Sequence, residues 1–223
     1  MGKLIVIEGV DGSGKETQSE LLYKRLKEEG FNVKKISFPN YSSESSSLVK
    51  MYLRGDFGDN PDDVSAYVAS SFFAADRYAT YQTEWKEFYK KGGIVIADRY
   101  TTANMLHQAS KIKDIEKVDL FLDWLYDLEF NMYKIPIPDK VIFLDMPPEL
   151  SMEITKKRKN KFTGLSEKDI HEKDENHILT SYHISNYVSE KYNWIKVLSA
   201  VNGNLKSKKD ISKDVYENIK DVL

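Results

Sequence analysis

The chain has 223 residues, with 33 Lys and Arg against 35 Asp and Glu, for a formal net charge of −2. That length suits one α/β domain, residues 1–223, with a full core and a small insertion, and the charge balance excludes a broadly basic nucleic-acid or membrane surface. No cysteine occurs, which removes disulfides, thiolate nucleophiles and zinc–cysteine centres and allows a reducing compartment. Met1-Gly2-Lys3 leads straight into an apolar run without a secretory leader, and no apolar run approaches a membrane span. A cytoplasmic protein, bound to neither nucleic acid nor membrane, is expected.

The first predicted strand, Leu4–Val10, passes into Gly9-Val10-Asp11-Gly12-Ser13-Gly14-Lys15. A helical pattern follows from about Gly14 to Glu29, with Leu21, Leu22 and Leu26 on one face, and stops at Gly30. Strand, glycine-rich loop and helix are the context of a phosphate-binding P-loop; the alternative is an ordinary tight turn. The glycines let backbone N–H groups converge, the helix N-terminus adds positive potential, and Lys15 supplies a mobile charge. Where a Ser or Thr normally follows the lysine to ligate magnesium, Glu16 stands, and the hydroxyl comes at Thr17. Glu16 is either an acid favoured in the first helical turn or a side chain that reaches a metal. In both cases magnesium takes its protein ligands elsewhere.

Further strands are predicted over Asn32–Phe38, Gly93–Asp98, Lys140–Met146 and Trp194–Ala200. Ser42–Ser47 reads as a polar loop or a helix start. Asn60-Pro61 opens a helix carrying Tyr67, Val68, Ser71 and Phe72 at helical spacing, prolonged by Trp85 and Phe88 toward Gly92-Gly93. Another helix covers Ile115 to Tyr133 with Val118, Phe121, Leu122, Leu125 and Leu128, and Pro147-Pro148 opens the next. Lys156–Lys161 is the densest positive patch, followed by a polar segment through Asn176 that reads as an exposed, mobile flap. The last helix runs from about Ser212 to Val222. Alternating strands and helices imply a three-layer α/β/α fold of the P-loop class on a five-stranded parallel sheet, with a mobile lid over about 153–176. Ligands then gather beyond the carboxyl ends of the strands. Asp98-Arg99-Tyr100 lies there, so Asp98 suits a magnesium ligand and Arg99 a phosphoryl-stabilising cation, or the two form a strand-end ion pair.

Four ordered motifs resemble the thymidylate kinase family: the segment Ile7–Lys15 with Asp11 inside the loop, Phe38-Pro39, Phe73-Ala74-Ala75-Asp76-Arg77, and Asp98-Arg99-Tyr100. Order and spacing fit from residue 3 to about 200. The resemblance implies transfer of the γ-phosphoryl group of ATP to dTMP with Mg2+, in a homodimer packed through helices, the one carrying Phe121, Leu125 and Leu128 being a candidate. It assigns ATP to Gly9, Val10, Asp11, Gly12, Ser13, Gly14, Lys15, Glu16 and Thr17, and the acceptor sugar hydroxyl to Asp11. Phe73 would stack on thymine, or is a core side chain; Arg77 would bind a base carbonyl, or is an ion-pair partner. Phe38 and Tyr41 would lie by the acceptor, and Arg99 would grip its phosphate. Asn104 would face base and sugar, and the Gln108 amide would read the thymine edge. His107 stands where the family often has an aromatic ring near the sugar 2′ carbon. The basic patch resembles a lid that closes over ATP and brings Arg158 to the transferring phosphate, with Lys15, Arg99 and Asp98 as the other catalytic groups; its alternative is a solvated charged face. Asp169 and Glu172 would approach the sugar. Other kinases of the same fold, or a nucleotide-binding module without turnover, are the rival readings.

Overall fold

A computed structural model describes residues 1–156 and 175–223. The expected strands form within two residues of the sequence boundaries: β1 Lys3–Glu8, β2 Val33–Ser37, β3 Ile94–Asp98, β4 Lys140–Asp145 and β5 Ile195–Leu198. They build one parallel sheet in the order β2-β3-β1-β4-β5. Alternate residues of β1 feed opposite faces. Ile5 and Ile7 pack with Leu22 and Leu26 of α1 (Lys15–Glu28) and with Ile211 and Val215 of the last helix. Leu4 and Val6 pack with Tyr81, Trp85 and Tyr89. Phe143 joins a third cluster with Val118, Phe121, Leu122 and Leu125. This is the expected three-layer arrangement, and the order in which strands are added switches sides between β3 and β4, across β1, which opens a crevice beyond the carboxyl ends there.

The chain between β2 and β3 differs from the sequence reading. The Ser-rich stretch takes the helix-start alternative, as a 3₁₀ turn, Glu44–Ser46, leading into α2, Ser47–Arg54; the differences come after it. Asn60-Pro61 caps only a 3₁₀ turn, Pro61–Asp63; Val64 is extended and turns inward. The helix starts anew as α3, Ala66–Thr80, with the Ser65 hydroxyl accepting from the Val68 N–H. Val68 lies on its outer side, Tyr67 is part-exposed with its ring against Phe121 and Trp124, and the buried residues are Ala66, Ala69, Ser70, Ala74, Asp76, Arg77 and Thr80. Small residues let the helix lie close to its neighbours, while Phe72 and Phe73 are half-buried against Tyr52, Val64 and Ala69. A π-helical turn, Tyr81–Trp85, joins α3 to α4, Lys86–Lys90.

After β3 come α5 (Thr101–His107) and α6 (Ile115–Tyr126), which continues as a π-helical segment, Asp127–Met132. α7 spans Pro148–Lys156 and α8 Glu175–Lys191. A hairpin, β6 Ala200–Val201 with β7 Asn204–Leu205, precedes α9, Lys208–Glu217. The sequence reading lacked α8 and the hairpin, offered for α2 only a helix start in the Ser-rich stretch, and started the last helix late. Ser207 caps it by accepting from the Asp210 N–H at 3.1 Å. Phe121 and Leu125 are fully buried inside the chain's own core, so they are not available to a dimer contact. Ile115 and Leu120 are the exposed apolar side chains of α6. No helix among the described residues is long and apolar enough to cross a membrane. Leu125→Ala should cost about 2–5 kcal/mol of stability in urea or thermal unfolding, against about 0.5 kcal/mol or less for exposed Leu198→Ala.

Candidate active site

β1 ends at Glu8, and the glycine-rich loop carries the chain to α1. Gly9 and Gly12 have φ of 153° and 78°. A Cβ on Gly9 would fall 2.8 Å from the Leu144 carbonyl oxygen, and one on Gly12 2.8 Å from that of Ser151. Neither position admits a side chain. Ser151 of α7 clamps the loop by donating its hydroxyl to the Asp11 carbonyl. The N-cap of α1 is Gly14 and no side chain caps it, so N–H groups of its first turn remain for an anion. The Ser13 hydroxyl is buried without a hydrogen-bond partner among the described residues. Lys15 is 6% exposed and donates to the carbonyls of Gly9 and Val10, each at 2.7 Å, with Asp11 at 3.9 Å. Burial, then repulsion from Arg99, pushes its ammonium down to about 8. Glu16 is exposed in the first turn of α1, and Thr17 beside it is half-buried.

The parallel register sets Ile7 of β1 and Ser37 of β2 beside Asp98. Asp98 and Arg99 therefore meet the loop at the carboxyl edge of the sheet. Arg99 adopts φ 67°, a conformation rare outside glycine and characteristic of functional positions. Its guanidinium donates through Nη2 to Asp11 and through Nη1 to His107 Nε2 at 2.8 Å, with Glu8 at 3.9 Å. Burial lowers the Arg99 pKa, but Asp11, Glu8 and Asp98 together outweigh it and raise it. Fully buried Glu8 accepts from the Thr102 hydroxyl at 2.6 Å and from the Gly9 N–H. Burial pushes both Glu8 and Asp98 upward, against the pull of Lys15 and Arg99. Unlike Glu8, the Asp98 carboxylate receives no hydrogen bond from the described residues. A carboxylate oxygen beside the loop that no described residue hydrogen-bonds fits the ligand chemistry of magnesium.

On the adjoining wall, Phe73 is half-buried, edge-on to Tyr52 at 6.2 Å. Phe38 is 3% exposed and packs on Tyr100, their centroids 5.9 Å apart. It is a core side chain, with its ring occupied by Tyr100 and not open to a ligand. Tyr41 is half-buried and lies close enough for its field to act on Arg99. Asn104 donates from Nδ2 to the Ser70 carbonyl, tying α5 to α3. Gln108 is 1% exposed, and its Oε1 has no hydrogen-bond partner among the described residues.

Arg77 takes the ion-pair alternative of the sequence reading, but with a buried acid far along the chain and not with Asp76. It is 1% exposed, and Glu129 takes its Nε and Nη2 at 2.6 Å each, while Nη1 donates to the Tyr100 carbonyl at 3.3 Å. Glu129 also accepts from the Thr101 hydroxyl at 2.9 Å. Of five guanidinium N–H groups, two remain. Asp76 does not pair with Arg77; it accepts from the Asn40 N–H at 2.8 Å and from the Ser45 hydroxyl. Sequence reasoning missed Glu8, Glu129, Asp76 and Ser151. Glu129 was detectable, since Val118, Leu122, Leu125 and Glu129 fall on one helical stripe, and an acid on an apolar stripe requires a buried cation. The expected lid residues Arg158, Lys157, Lys159, Lys161, Asp169 and Glu172 lie outside the described residues. Glu129→Ala, which strands a buried guanidinium, should cost about 3–5 kcal/mol in denaturation, whereas replacing Arg77 and Glu129 together by Met should cost much less.

Known proteins place this arrangement. The thymidylate kinase family profile matches residues 7–211. A probable thymidylate kinase from Pyrococcus abyssi is 31% identical over 159 residues, covering 71% of this chain and 72% of its own. The thymidylate kinase of Mycobacterium tuberculosis is 30% identical over 172 residues, covering 77% and 78% respectively. A solved thymidylate kinase from Candida albicans shares the fold at a TM-score of 0.69 and 22% identity, over 99% of this chain and 92% of that one. A profile running from β1 into α9, and so enclosing the loop, the Asp98–Arg99 corner and the α3–α5 wall, establishes that the chain belongs to the thymidylate kinase family.

Proposed function

We propose that this protein is a thymidylate kinase that transfers the γ-phosphoryl group of ATP to dTMP, giving dTDP and ADP. The observation that carries the proposal is the meeting of two cations at one sheet edge: Lys15 inside the loop and Arg99 at the end of β3, joined through Asp11. Lys15 and the loop N–H groups serve the donor phosphates, and Arg99 serves the acceptor phosphate. The acceptor oxygen attacks the γ-phosphorus in line. A phosphate monoester is largely dianionic near pH 7, its second pKa being about 6, so no general base is required. Catalysis rests on positioning and on spreading the developing charge. Magnesium, when bound, neutralises charge on the transferring group, and Asp98 is the residue that would hold it. The lid, with Arg158, would supply a further cation and exclude water.

The α3–α5 wall suits a base and a deoxyribose. Phe73 offers a ring edge or face to thymine, and the two unused Arg77 donors suit a base carbonyl. Gln108 Oε1, a buried acceptor without a donor among the described residues, matches an imide N–H. Asp11, between Lys15 and Arg99, suits the sugar hydroxyl. Exposed Tyr67, Val68, Ile115 and Leu120 are the side chains through which a homodimer would pack, in place of Phe121 and Leu125. A cytoplasmic location accords with the cysteine-free sequence.

ADP release with MgATP and each nucleoside monophosphate tests the reading. Strong turnover is expected with dTMP, weaker with dUMP and negligible with the ribose form of TMP; preference for another monophosphate would overturn the base assignments. Lys15 gives an independent check. Bound phosphates favour its charged form, so above about pH 8 ATP binding should take up a proton and weaken as pH rises. Calorimetry in buffers of different ionisation enthalpy should detect this uptake, and Lys15→Met should abolish it along with nearly all turnover.

A further inference from the structure

His107 is the half-buried last residue of α5, three positions after Asn104 and directly before Gln108. Its Nε2 lies 2.8 Å from Arg99 Nη1. A guanidinium has donors only and keeps its proton, so Nε2 is the acceptor and the ring in this contact is the neutral Nδ1–H tautomer. Asp11 takes the other terminal nitrogen, Nη2. One contact leaves a planar guanidinium free to swing about its stem. A contact on each terminal nitrogen fixes its plane, and three of its five N–H groups then remain for a phosphate. The arrangement joins the loop, the β3–α5 corner and the C-terminal end of α5. It is reinforced by the left-handed backbone at Arg99, which a non-glycine residue holds only when its surroundings enforce it.

We propose that His107 is a positioning residue that acts through Arg99: its Nε2 holds the guanidinium plane so that the remaining donors meet the acceptor phosphate. The inference rests on the reading of Arg99 as the acceptor-phosphate ligand. α5 then serves both ends of the acceptor, with Asn104 and Gln108 toward the base and His107 behind the phosphate-binding arginine. A base seated against α5 sets the position of the group that grips the phosphate, so binding energy from the base is used in orienting the reacting atoms.

Steady-state kinetics and dTMP calorimetry on two variants test this. His107→Phe keeps a ring and removes the acceptor; His107→Gln keeps an acceptor oxygen. His107→Phe should lower kcat/KM for dTMP about tenfold, a typical effect for losing a hydrogen bond to a charged group, and leave KM for ATP within about twofold. His107→Gln should recover most of that loss. In an Arg99→Lys background, which keeps the charge but lacks the second terminal nitrogen, His107→Phe should add nothing further to the loss in dTMP affinity or turnover. The proposal is overturned if His107→Phe matches the parent enzyme, if His107→Gln is as impaired as His107→Phe, or if the His107 and Arg99 effects simply add. Absence of dTMP turnover in the unsubstituted protein would instead refute the proposed function, so the two failures are distinguishable.

Discussion

Lys15 and Arg99 are held among Glu8, Asp11 and Asp98 at the carboxyl edge of the sheet. Lys15, Glu8 and Asp98 are nearly sealed from water and Arg99 and Asp11 partly so; charges so placed persist only when opposite charges and hydrogen bonds replace the lost hydration, and this requirement constrains the surrounding structure. β1 and β3 must pair in the register that sets Ile7 beside Asp98; a slip of one residue would carry the acids to the other face. Gly9 and Gly12 must lack side chains so that the loop can close around the lysine. Lys15 then rests on two backbone carbonyls, a neutral cradle that leaves its charge available. Depression of its pKa by burial goes with a cation held by backbone carbonyls and without a tight carboxylate partner.

A second buried ion pair organises the opposite wall. Asp76 and Arg77 are consecutive on α3, and helical geometry sends their side chains about 100° apart. Asp76 holds the loop after β2 through Asn40 and Ser45, and Arg77 reaches the π-helical segment after α6 through Glu129. α3 is thereby fastened to both neighbours at one level, and Thr101 brings the start of α5 into the same network. Phe73, one turn earlier on α3, inherits a fixed position from these contacts. A buried Arg–carboxylate pair adds little net stability over an apolar pair of the same size; its value here is geometric, because the two-point contact sets the direction of the remaining donors.

The five strands, α1, the phosphate loop and the Asp98–Arg99 corner were all legible in the sequence. Their signals are local: short apolar runs bounded by turn residues, a glycine pattern between strand and helix, and a charged pair where a buried strand stops. The residue assignments on α3 and α5 came from ordered motifs, which give order along the chain and not the distance between side chains. Val68 shows the limit of periodicity, since helical spacing marks a face without saying whether it points inward. Phe38 fell into the core for the same reason: a motif names a residue but not what covers it.

The sequence by itself determined the layer architecture, the phosphate-binding loop and the family, because these follow from local period, turn chemistry and motif order. Only the tertiary structure decided that Arg77 is claimed by Glu129, that Arg99 is shared between Asp11 and His107, and that Gln108 keeps a buried oxygen without a partner among the described residues. Arg77 and Glu129 are 52 residues apart in the chain, and Arg99 and Asp11 are 88. No local pattern encodes such a pairing. It is set when the sheet closes and the shared cost of desolvating each charge leaves one partner within reach.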